Sequence, residues 1–160
     1  YAATAGAQIS KESDLKLQQL ERAFKTDPSA QNLNEYCDFL GEYLCSGLAE
    51  GRVAQIQRQQ YARLLARRCE REDTLELRIR YATALADVGQ IDEAQAVTDQ
   101  LVIDVPEEQE VWMLCLRLAV MRRDGDEVHR VIDAIDKQHV YLSADNREKL
   151  AFWRDGEEAR

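Results

Sequence analysis

The sequence predicts an all-α fold built as a stack of helix pairs, and three observations point to it. A skeleton recurs at an interval of 34 residues: Asp92-Glu93-Ala94 falls on Asp126-Glu127-Val128, Val97 on Val131 and Leu101 on Ile135. A fixed period in this range marks stacked helical repeats, in which each unit buries its apolar face only against its neighbours. Apolar residues also return at three- and four-residue steps through most of the chain, the spacing of one helix face. Finally, the 160 residues include only 7 Gly and 2 Pro beside 45 % hydrophobic and 32 % charged residues, so the turn punctuation of a β protein is missing. A chain of this length fits one domain and buries a sizeable core.

Taken in order, Tyr1 to Ser10 is small and polar without a period, and residues 1–10 are expected to be a disordered lead-in. The chain does not start with Met, so it is read as a processed or excised piece, and YAATAGAQ as the remnant of a linker after an anchor or signal segment. Leu15, Leu17, Leu20, Ala23 and Phe24 then form a helical stripe that Asp27-Pro28 ends, because proline cannot continue a helix. This helix has the ending of a second repeat half whose first half is missing or degenerate. Ser29 suits an N-cap, and Leu33, Tyr36, Cys37, Leu40, Tyr43 and Leu44 trace the next helix. Gly47 and Gly51 bracket a turn. A long helix from Arg52 to about Arg71 is expected to turn Val53, Ile56, Leu64, Leu65 and Cys69 inward, with Arg63, Arg67 and Arg71 on an exposed side. Ala30 to Thr74 takes 45 residues rather than 34, and the 11 extra are close to three helical turns, so the phase survives.

Thr74 to Tyr81 alternates apolar and polar residues, which is a strand signal. Leu75, Ile79, Ala82 and Ala86 also form a helical stripe of good helix formers, and a lone strand would have no sheet to join, so a helix is predicted. Asp92 opens the following helix with carboxylates near its positive end, and Pro106 stops it. Glu107 to Arg122 repeats the first half with Trp112, Cys115, Leu116, Ala119 and Val120, Asp124-Gly125 is the expected break, and Asp126 to Lys137 repeats the second half. Ser143 or Asp145 caps a last helix over 143–154 with Leu150, Phe152 and Trp153 on one side and a polar outer face, as a terminal cap requires. The expected organisation is one domain over 11–154, in units of about 11–28, 30–74, 75–108 and 109–142 plus the cap, followed by a mobile tail at 155–160.

Composition narrows the function. A net charge of −9 argues against nucleic acid as a partner, since phosphate binding needs a basic face. No apolar run is long enough to insert into a membrane. Eight arginines fall between Arg52 and Arg80, and none of either basic type between Arg80 and Arg117, where eight acidic residues stand. That asymmetry reads either as solvated faces of neighbouring helices or as a polar surface steering a charged partner. The cysteines Cys37, Cys45, Cys69 and Cys115 have no metal-like spacing and are expected to be structural thiols, which leans towards a cytoplasmic setting. The small-residue start fits an exported or membrane-anchored protein as the alternative. His129 and His139 lack ligand partners at useful spacing, Arg122 to Glu127 has too few aligned oxygens for a calcium loop, and no phosphate loop or nucleophile elbow is present. No catalytic residue, metal or cofactor is therefore predicted.

The stretch from Leu75 to Pro106, and the following unit to Val140, resembles the tetratricopeptide repeat family. The similarity rests on Ala82 at a close helix approach, on the Gly89, Ala94 and Pro106 spacing, and on Trp112 at a frequent aromatic position. Val128 and Leu116 depart from small residues, Val140 from the closing proline, and Ala30 to Thr74 follows the pattern loosely. The resemblance implies a right-handed α-solenoid of antiparallel helix pairs whose first helices line a concave groove for peptides or partner helices. Some members grip the carboxylate of chaperone tails with paired Lys and Asn residues. At the corresponding places only Asn34, Arg80 and Arg117 have suitable chemistry here, so that function is not expected. The expectation is a non-enzymatic protein-binding scaffold whose groove uses Asn34, Asp38, Ile79, Arg80, Thr83, Met113 and Arg117, with Ala86 and Met121 adding apolar surface. The alternatives are a self-assembly domain, in which the Ala30 to Thr74 hairpin packs on its own copy as a homo-oligomer, and a regulatory domain of a larger enzyme.

Overall fold

Eight helices follow one another in the computed structural model, which describes the backbone of residues 2–158 and the side chains of residues 10–156. They are α1 (Ala2–Thr26), α2 (Ala30–Cys45), α3 (Gly51–Arg71), α4 (Leu75–Asp87), α5 (Ile91–Asp104), α6 (Gln109–Met121), α7 (Gly125–Lys137) and α8 (Ala144–Glu158). Among the described residues there is no strand, and Leu75 to Tyr81 is helical. Two compact units emerge, Tyr1–Asp73 and Thr74–Arg160. Helix α1 starts at Ala2 and α8 continues to Glu158.

In the first unit α2 packs against both α1 and α3. Ser29 caps α2 by accepting the Asn32 N–H at 3.2 Å, which satisfies one of the amide donors a helix start leaves open. The core draws Leu17 and Phe24 from α1, Leu33, Tyr36, Cys37 and Leu40 from α2, and Ala54, Ala62, Leu64 and Leu65 from α3. Tyr61 of α3 seats on Gly41 of α2, where any added Cβ would lie 2.7 Å from the phenolic oxygen. Three side chains depart from the expected inward stripes: Leu15, Val53 and Ile56 are all more than half exposed. On α3 the buried face runs through Ala54, Leu65 and Arg68, and 100° per residue carries Val53 and Ile56 away from that line. The arginines of the α3 outer side serve the corner between α1 and α2. The guanidinium of Arg67 lies over the Phe24 ring at 5.1 Å, and Arg71 Nη2 donates to the Pro28 carbonyl at 3.5 Å.

In the second unit each helix packs on the next, and α4 also packs on α6. The 34-residue interval is visible in the element bounds: α6 begins and ends 34 residues after α4, and α7 begins 34 after α5. The turns match as well. Gly89 (φ +79°) and Arg123 (φ +55°) both take the left-handed conformation. Gly89 N–H donates to Ala86 O and Gln90 N–H to Leu85 O, while Arg123 N–H donates to Val120 O and Asp124 N–H to Ala119 O. These pairs close the helix ends in the same way. The break expected at Asp124-Gly125 thus falls earlier: Arg123 carries the reversal, Asp124 caps α7 by accepting the Glu127 N–H at 3.1 Å, and Gly125 is already helical. A side chain at positive φ is disfavoured by about 1 kcal/mol. Arg123→Gly is therefore expected to stabilise the chain by about 0.5–1 kcal/mol in urea unfolding.

Two apolar clusters share α6. Val111, Leu114 and Leu118 pack with Ala82, Leu85, Ala94 and Leu101, whereas Trp112, Cys115, Leu116 and Ala119 pack with Val128, Val131, Ile132, Ile135 and Leu150. Leu116 and Val128, which depart from the small residues of the repeat pattern, are both buried. Ala82 and Leu85 of α4 become Leu116 and Ala119 in α6, so the bulk moves by one turn while the pair keeps its volume.

No disulfide joins the cysteines: Cys37 and Cys115 are buried, Cys69 half-buried and Cys45 exposed. Burial, reinforced by the Asp99 and Glu127 carboxylates, pushes the Cys115 thiol from its ordinary 9.0 up to about 12. Burial, with the Glu21 carboxylate adding to it, likewise raises Tyr36 from 10.0 to about 12. In both cases the fold prefers the protonated group, so this part of the stability is complete below about pH 9 and drains away as pH rises towards 12. A disulfide-exchange reagent at pH 8 is expected to titrate Cys45 rapidly and Cys115 only as fast as the chain opens; equal rates at both would contradict the packing.

Candidate functional site

Helix α6 commits Val111, Trp112, Leu114, Cys115, Leu116, Leu118 and Ala119 to the two clusters. Among the residues left over, Glu110, Met113, Arg117 and Val120 form a narrow stripe at three- and four-residue spacing. This stripe lines a trough of about 390 Å³ together with Thr83 of α4 and Lys149 and Trp153 of α8. Leu114 and Leu116 form its floor, and each belongs to a different core cluster, so the base of the trough is the seam that α6 makes between them.

The positions of the walls follow from local hydrogen bonds. Gln109 Oε1, at the start of α6, accepts from the Ser143 N–H at 2.8 Å and from Asn146 Nδ2 at 3.0 Å. Ser143 in turn caps α8 by accepting the Asn146 N–H at 3.3 Å. These bonds set the start of α8 beside that of α6, 35 residues earlier, and so bring Lys149 and Trp153 to the trough. Trp112 Nε1 donates to the Pro106 carbonyl at 2.6 Å and fixes the turn that leads into α6. The Trp153 ring meets Phe152 edge to face, with centroids 5.3 Å apart.

Of the residues predicted for partner binding, Thr83, Met113 and Arg117 come together here. The Thr83 hydroxyl donates to its own helix at Ile79 O, 2.8 Å away. Arg117 Nη2 pairs with Asp87 Oδ1 at 2.6 Å, both side chains being more than two-fifths exposed; such a pair is worth at most about 1 kcal/mol. A guanidinium has five donors, so Arg117 can engage a second carboxylate without giving up Asp87. The other predicted residues lie elsewhere. Ile79 and Met121 are half-buried against the α4–α6 cluster, and Ala86 belongs to that core at 1 % exposure. Arg80 is half-buried on α4. Asn34 and Asp38 belong to the first unit, where Asp38 Oδ1 accepts from Arg68 Nη1 at 2.6 Å.

Sequence reasoning missed Lys149, Trp153 and Val120 as trough residues. The signal available for α8 was its phase: it starts 35 residues after α6, one more than the 34-residue interval. His129 is exposed, and among the described residues no group of three or more His, Cys, Asp or Glu side chains is placed to hold a metal ion. Among those residues no helix is long and apolar enough to cross a membrane. In comparison with known proteins, no family model, curated protein or solved structure matches this chain.

Proposed function

We propose that the chain is a non-enzymatic, tetratricopeptide-like interaction module, and that the trough on α4, α6 and α8 receives an amphipathic segment of a partner protein. The observation that carries the reading is the lining: Met113, Leu114, Leu116, Val120 and Trp153 supply apolar and aromatic surface, with Arg117, Lys149 and Glu110 at its polar margin. A mostly apolar concavity with a few charged groups suits a helix or extended peptide that inserts apolar anchors and presents polar residues to the rim. Methionine and tryptophan are apt here, the first because its flexible thioether adapts to varied side chains, the second because it offers a large contact area.

Selection of a displayed library of short amphipathic peptides against the chain, counter-screened on Met113→Glu, tests this. The expected result is a set of peptides sharing apolar residues at a helical or alternating spacing that bind the variant about tenfold or more weakly, the scale of losing one buried anchor. Peptides that bind the unaltered and Met113→Glu chains equally would count against the trough.

A further inference from the structure

The first unit holds a second, larger trough of about 730 Å³, lined by α1, α2, the turn at 48–50 and the first half of α3. Its floor is core: Leu17, Tyr36 and Leu40. Its α3 side carries Val53 and Ile56 at 63 % and 61 % exposure, one helical turn apart and continuous with that floor. The polar lining is strongly biased. Asp14, Glu21 and Glu50 bring carboxylates, whereas among the described residues Lys25 is the one cation in the lining, and it already pairs with Glu21 at 2.8 Å. Gln57 Oε1 is shielded from solvent and accepts no hydrogen bond, although buried acceptors nearly always find a donor. The trough therefore offers acceptors and negative charge beside an apolar strip, the complement of a donor-rich, cationic, amphipathic helix.

We propose that this α1–α3 trough docks a basic amphipathic helix of a partner protein, with its apolar side on Val53, Ile56 and Leu40 and its Lys or Arg residues on Glu21 and Glu50. The surface belongs wholly to the first unit and is independent of the α6 trough.

The test uses the full chain and a fluorescent synthetic helix of Leu and Lys in amphipathic order, beside the same helix with Glu for Lys and a scrambled Leu/Lys peptide. Only the first is expected to bind. Glu21→Gln with Glu50→Gln, and separately Val53→Ser with Ile56→Ser, are each expected to weaken it about tenfold. A control that removes equal charge from the second unit, Asp126→Asn with Asp133→Asn, is expected to change binding less than about twofold. Circular dichroism of each variant confirms that the helices persist. Equal losses in the control pair, binding of the scrambled peptide with the same affinity, or no binding at all would overturn the proposal. So would self-association of the unaltered chain in light scattering that Val53→Ser with Ile56→Ser abolishes, since the occupant would then be a second copy.

Discussion

Leu118→Ala is expected to destabilise the second unit by about 3–5 kcal/mol. Leu118 is fully buried in the cluster that joins α4, α5 and α6, among Leu85, Leu101 and Val111. Its truncation removes apolar contact and leaves a cavity that three packed helices cannot close, because α6 is also tied to α7 through Trp112, Cys115 and Leu116. Urea unfolding followed by helix signal measures the loss. A change below about 1 kcal/mol would mean that α6 is not the shared wall of two cores.

Asp38→Ala is expected to cost about 2–3 kcal/mol, through the guanidinium it abandons. Arg68 is a buried charge, with its side chain 9 % exposed, and Asp38 at 2.6 Å is its ion-pair partner. Desolvation pulls the Arg68 pKa down, but hydrogen bonds to Cys37 and Asp38 outweigh it and hold the group above its ordinary value. The Arg68 Nε has no acceptor, so once Asp38 is removed the Cys37 thiol is the partner that remains to the guanidinium. The expected cost lies below that of a fully buried pair because Asp38 itself is half exposed. Asp38→Ala combined with Arg68→Met is expected to recover most of the loss, since a methionine there fills the space without a charge to satisfy. A stable Asp38→Ala chain would instead return Asp38 to the partner-binding role that the sequence reading gave it.

Elements with a chemical marker at their ends were legible beforehand. Ser29 caps α2 as expected, whereas Thr74, which the sequence reading did not name as a cap, caps α4 by accepting the Leu77 N–H at 3.3 Å. Pro28 and Pro106 stand just past the ends of α1 and α5. The repeat interval placed α4 to α7 because the same apolar positions return in both units. The α6–α7 reversal was misplaced because Arg123, with no glycine to announce it, takes the left-handed turn, while the glycine two residues on is helical. Arg68 was counted with a solvated arginine-rich face, since periodicity alone does not say which arginine meets Asp38 across the hairpin. Val53 and Ile56 were placed inward on hydrophobicity, yet α3 packs along a line that passes beside them.

The candidate site was legible to the same degree. Met113 and Arg117 lie on the stripe of α6 that the core does not use, and that stripe can be counted from residue types. Thr83 belongs to the corresponding surface of α4. Lys149 and Trp153 were missed because their place depends on Gln109 holding the start of α8 through Ser143 and Asn146, two polar contacts that no hydrophobic pattern encodes. Ile79 and Ala86 were assigned to the groove although the α4–α6 contact takes them into or against the core.

Relaxation enhancement from a nitroxide on a peptide selected against the chain, read at the backbone amides, tests the central claim most directly. The predicted result is broadening concentrated at Thr83, Met113, Arg117, Lys149 and Trp153, and its loss with Met113→Glu. Broadening centred instead on the outer residues of α5, such as Asp99 and Gln100, would show that the partner segment does not enter the α6 trough.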